Sequence, residues 1–167
     1  GRGLSNILPE SLKAAGAQGV MLNHIECPIG LAALYKTILR ARELKMMTIV
    51  CADSIPETKA VASLGPDLMV TEPAELIATK CAADISYVKT SVDTIMSIDS
   101  NIGILVGGGI NCGKDVYDVI AAGADATGSS SAIATAHDPK VIVEEMLNAV
   151  REAWNFRNCN SLGEYKK

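Results

Sequence analysis

Short apolar runs, each ending in a polar or glycine-rich loop and followed by a helical pattern, recur along the whole of this sequence. Residues 19–23, 48–52, 68–71, 102–106 and 125–127 read as strands. Between them lie segments of helical spacing. Pro9 sits in the first turn of a helix that Gly16 ends. Leu31, Leu34, Tyr35 and Ile38 fall at i, i+3, i+4 and i+7. Asp53-Ser-Ile-Pro56 opens a short helix that Gly65-Pro66 closes. Val88, Val92, Ile95 and Met96 mark a helix over 86–98, and Val116, Val119 and Ile120 mark another that stops at Gly123. Asp138-Pro139 is an N-cap with a first-turn proline. The final apolar stripe of Val143, Met146, Leu147, Val150 and Trp154 follows it. Units of roughly 30 residues in the order strand, loop, helix imply βαβ crossovers and an α/β fold with a parallel sheet of about five strands.

Composition agrees with that architecture. The chain of 167 residues is 49% hydrophobic but only 4% aromatic, so the core must be built from Ala, Val, Ile, Leu and Met. Such residues suit parallel strands covered on both faces. A net charge of −4 without a basic stripe argues against a nucleic-acid partner. No apolar run approaches membrane-spanning length, so no membrane association is expected. Cys27, Cys51, Cys81, Cys112 and Cys159 are scattered, odd in number and without a C-x-x-C pair. Reduced thiols in a cytoplasmic protein are expected, not a disulfide framework or zinc site. Residues 1–157 read as one domain and 158–167 as a frayed tail.

The chemistry-bearing residues follow strands. Leu68-Met-Val-Thr71 ends on Glu72, and Pro73 then stops the ladder. A carboxylate at the carboxyl end of a buried strand is where α/β enzymes place a base, although a solvated strand-end Glu has the same sequence. His24 follows another strand, with Glu26 two residues on. It is either structural or a neutral imidazole able to polarise a carbonyl. Gly107-Gly-Gly109 and Gly128-Ser-Ser-Ser131 follow successive strands. Each alone is a tight turn or small-residue packing; together they suit backbone amides gripping a phosphate.

Taken together, Val20-Met-Leu-Asn-His-Ile-Glu26, Thr48-Ile-Val-Cys-Ala-Asp53, Glu72-Pro-Ala-Glu-Leu-Ile-Ala-Thr79, Gly107-Gly-Gly-Ile110 and Gly123-Ala-Asp-Ala-Thr-Gly-Ser-Ser-Ser131 resemble the triosephosphate isomerases, their archaeal-type branch and related bacterial sugar-phosphate isomerases. The resemblance runs to about Trp154. It implies a (β/α)8 barrel of which this chain covers roughly strands four to eight. It implies Glu72 as catalytic base, His24 as electrophile and Glu26 as a supporting acid. Ile77 and Ala78 match the tip of a closing loop, and Gly108, Gly109, Ser130 and Ser131 match the phosphate loops. The implied reaction interconverts the aldose and ketose forms of a small sugar phosphate, triose or tetrulose, and needs no metal or organic cofactor.

The sequence departs from the family at four points. A full barrel is typically about 250 residues, and the Asn-x-Lys segment of strand one has no counterpart here. Ala78 and Lys80 stand where the family has glycines, Ile25 replaces a small residue, and Ala132 replaces a glycine. Two further readings therefore stand beside the isomerase. One is a truncated or non-catalytic homologue that keeps phosphate binding. The other is a different phosphate-binding barrel, an epimerase or a lyase. A partial barrel has two unpaired sheet edges, so either preceding strands or a second copy should cover them, and a homo-oligomer is expected.

Overall fold

The computed structural model describes residues 7–73 and 84–164. Helix α1 (Pro9–Ala14) leads into β1 (Gly19–Leu22). Then come α2 (Leu31–Glu43), β2 (Met47–Ala52), α3 (Ile55–Ala62) and β3 (Leu68–Thr71). The chain continues through α4 (Ile85–Ile98), β4 (Gly103–Val106), α5 (Gly113–Ala121) and β5 (Ala126–Thr127). It closes with the short α6 (Ser131–Ala134) and the long α7 (Pro139–Glu164). The five strands form one parallel sheet in the order β1-β2-β3-β4-β5. The strand order is thus the sequence order, as in an arc of a β/α barrel.

Register explains which face is filled. Leu22 pairs with Val50, Val50 with Met69 and Met69 with Ile104, so these four make one row across the sheet. Val50, Met69 and Ile104 are at most 1% exposed and pack with Leu34, Ile38, Val61, Val88, Ile95 and Val119 from the helices. Side chains alternate along a strand, so the row displaced by one residue faces the other way. That row runs Met21, Ile49, Leu68, Gly103, and Met21 is 59% exposed. The helix-facing side is a closed core, and the opposite side is only part-covered.

Two aspartates fix the entry of strands. Asp67 Oδ2 accepts from Thr48 N and Thr48 Oγ1, both at 2.7 Å. Asp125 Oδ2 accepts from Ile104 N at 3.0 Å. Each lies two residues after a glycine in the left-handed region, Gly65 (φ 68°) and Gly123 (φ 121°), that ends the preceding helical segment.

All strands run the same way, so the loops after them gather at one end of the sheet. His24, Glu72, Gly108 and Gly109 all leave their strands there. Among the described residues no helix is long and apolar enough to cross a membrane.

Candidate active site

Asn23 is the first residue past β1 and has φ 59°. Asn reaches this left-handed region more readily than other side chains, at a cost on the order of 1 kcal/mol. The cost is offset by three hydrogen bonds. Asn23 Nδ2 donates to Cys51 O at 3.0 Å and to Glu57 Oε1 at 2.9 Å. Its Oδ1 accepts from Ile29 N at 2.9 Å. The side chain therefore clamps both ends of the loop that carries His24.

His24 Nδ1 accepts from Glu26 N at 3.3 Å. An acceptor at Nδ1 corresponds to the neutral tautomer with its proton on Nε2. Glu26 Oε2 lies 3.6 Å from the same nitrogen, too far for a hydrogen bond, and the Glu26 side chain is 87% exposed. Cys27 N donates to His24 O at 2.7 Å, which tightens the turn.

From β3, Glu72 N donates to Ala52 O at 3.0 Å, extending the ladder one residue past the strand. Pro73 is buried immediately after it. The Glu72 carboxylate lies against Gly107: a Cβ placed there would stand 3.4 Å from Glu72 Cδ and Oε1. A glycine at the end of β4 leaves the carboxylate its space. His24 and Glu72 line a single cleft of about 240 Å³ together with Ile25, Cys51, Asp53 and Glu57. Burial first, and then the nearby carboxylates of Glu72 and Glu57, push the Cys51 thiol up to about 11.

Gly108 (φ 89°) and Gly109 (φ 70°) both occupy the left-handed region, and their amides have no hydrogen-bond partner among the described residues. Three amides further on are already taken. Asn111 N and Cys112 N donate to Asp115 Oδ2, and Gly113 N donates to Glu145 Oε1 at 2.6 Å. Gly108 and Gly109 thus present amides to which an anion in this loop could bind. Ser129 Oγ donates to Ile110 O at 2.7 Å and ties the loop after β5 to the loop after β4. Ser130 precedes α6 and Ser131 opens it; both are exposed, and neither lines the His24–Glu72 cleft. Ile77 and Ala78 lie outside the described residues.

Sequence reasoning passes over two residues that shape the cleft, Glu57 and the side chain of Asn23. A signal for the first was available. Ser54-Ile-Pro-Glu57 has the spacing of a capping box at the start of α3.

Solved structures share the fold at low identity. One is 3-hexulose-6-phosphate synthase from Salmonella typhimurium, with TM-score 0.65 and 21% identity, over 86% of this chain and 66% of that one. Another is thiamine phosphate pyrophosphorylase from Pyrococcus furiosus, with TM-score 0.64 and 19% identity, over 86% and 64%. These likenesses and the sequential parallel sheet define a β/α-barrel protein. The family is given by sequence. The family model "Triosephosphate isomerase" matches residues 5–148. Triosephosphate isomerase of Sulfurisphaera tokodaii is 36% identical over 87% of this chain, and that of Methanosarcina barkeri 32% identical over 87%. The chain belongs to the triosephosphate isomerase family. It spans 65% of the length of the Sulfurisphaera relative and 67% of the Methanosarcina one.

Proposed function

We propose that the protein is an aldose–ketose isomerase of a small sugar phosphate, a triose or tetrulose phosphate, working through an enediolate. The observation that carries this reading is the convergence of His24 and Glu72 on one cleft at the carboxyl end of the sheet. Glu72 takes a proton from the carbon beside the carbonyl and returns it to the adjacent carbon. His24, donating from Nε2, stabilises the negative oxygen that forms between the two transfers, while the hydroxyl proton passes to the neighbouring oxygen. Glu26 supports the imidazole through its backbone N–H. Gly108 and Gly109, with Ser130 and Ser131, hold the phosphate and keep the reacting carbons in register. By their match to the family's closing loop, we also assign Ile77 and Ala78 to the substrate-binding residues. We assign the activity to carbohydrate metabolism, as in glycolysis, and the protein to the cytoplasm as a homo-oligomer.

A second reading has its own support. The described residues lining the cleft include Asp53, Glu57 and Glu72 but no lysine or arginine. A sugar phosphate is anionic, so binding without turnover is the alternative. Glu72→Gln separates the two, because it removes the base and keeps the shape. We expect kcat to fall by about 10²–10⁴-fold with KM little changed. Isomerase turnover equal to wild type in that variant would remove Glu72 from the mechanism. Phosphate binding with no turnover in the wild-type protein would favour the second reading.

A further inference from the structure

We propose that Glu57 is a positioning residue for His24, acting through Asn23. The kinetic part of this inference rests on the isomerase reading; the structural part does not.

Three observations carry it. First, Asn23 holds a left-handed backbone directly before His24, so the direction in which the His24 loop leaves β1 depends on what fixes Asn23. Second, the Asn23 side chain is 9% exposed, and its bonds reach three separate pieces of chain: Cys51 O on β2, Glu57 Oε1 on α3 and Ile29 N at the far end of the loop. Glu57 is the only side chain among those partners, and so the one that substitution can remove without altering the backbone. Third, Glu57 is itself held. Its Oε2 accepts from Asp53 N at 2.8 Å, so the carboxylate joins the loop after β2 to the loop after β1.

The plainer account is that Glu57 merely caps α3. A capping-box glutamate turns back to the N–H of the capping residue, here Ser54. Glu57 instead takes the amide one residue earlier and sends its other oxygen out of the helix to Asn23. A carboxylate makes this a charge-assisted bond, which an amide replacement cannot reproduce. In Glu57→Gln an NH2 group must face either the Asn23 amide or the Asp53 N–H, donor against donor. One clamp is lost while side-chain volume is kept.

The experiment compares Glu57→Gln with Glu145→Gln in the purified protein. Glu145 also caps a helix start, through Gly113 N, but does not line the His24 cleft. The sequence has two histidines, so His137→Gln assigns the imidazole NMR signals of His24. We expect Glu57→Gln to move the His24 ring signals and the Ile29 amide signal, and Glu145→Gln to leave both in place. In the active enzyme, kcat of Glu57→Gln should fall about tenfold or more with KM within about threefold, because displacing a reacting group costs rate rather than ground-state binding. Wild-type positions for the His24 ring signals in Glu57→Gln overturn the proposal. An unchanged kcat also overturns it. If Glu57→Gln does not fold, the same signals are read in Glu57→Asp, which keeps the charge but is too short to reach both donors. If the wild-type protein turns over no small sugar phosphate, the isomerase reading fails, and the ring signals alone decide the role of Glu57.

Discussion

Cys51 lies 6% exposed at the end of β2, with the carboxylates of Glu57 and Glu72 near its sulfur. Burial and those charges raise its folded value from the ordinary 9.0 to about 11. The folded state therefore holds this proton more tightly than the unfolded chain does. The resulting contribution to stability is complete below pH 9 and is lost as pH rises towards 11. Urea unfolding at pH 8 and pH 10.5 should show wild type losing more stability over that interval than Cys51→Ala. Equal losses would mean that the thiol does not couple to folding. At this scale the sequence marks His24 and Glu72 as candidates, because each follows an apolar run that cannot continue, and both line one cleft. Glu57 stays hidden, because its first-turn position on α3 is occupied by acids in many helices for capping alone. Only the fold places it beside Asn23, which is 34 positions away in the chain.

Elements are more legible than contacts. The strands end where Pro73, Gly107 and Asn23 follow, and the helices stop at Gly16, Gly65 and Gly123, all three with positive φ. Those signals are local, so a single sequence carries them. The short α6 is not legible: Gly128-Ser-Ser-Ser131 reads as an open loop, yet one helical turn begins at Ser131. No cap signature announces that turn. Asp67 and Asp125 also escape notice, although they repeat a device. In each, a glycine ends a helical segment and an aspartate two residues later receives an amide of the preceding strand. Asp67→Ala would leave the amide and hydroxyl of Thr48, which is 1% exposed, without their acceptor. A loss on the order of 1–2 kcal/mol in unfolding free energy is expected by chemical denaturation. Asp67→Asn, which keeps one oxygen, should lose less. A loss as large as that of Asp67→Ala would point to charge rather than hydrogen bonding.

For the molecule as a whole, the apolar core lies between the sheet and its helices, while Met21 (59%) and Met47 (50%) on the first two strands stay exposed. Among the described residues, β1 and β5 each pair with one neighbour only. Open parallel edges beside exposed apolar side chains favour association. Sedimentation velocity at micromolar concentration should therefore report species heavier than the 17.5 kDa chain. A single monomeric boundary would remove that expectation. The parallel sheet and its strand count follow from the sequence because one unit repeats; its sequential order follows only from the barrel resemblance, since repeated βαβ units also build doubly wound sheets. The part-covered face does not, because strand patterns tell which residues share a side and not what lies over that side.

Among the described residues, each strand hydrogen-bonds only to the strands before and after it in the chain. Closing any one of these pairings spans a single crossover, so the entropy of loop closure stays small at every step. The entropic penalty for joining neighbouring strands is therefore nearly the same at every place in the sheet, whichever pair forms first.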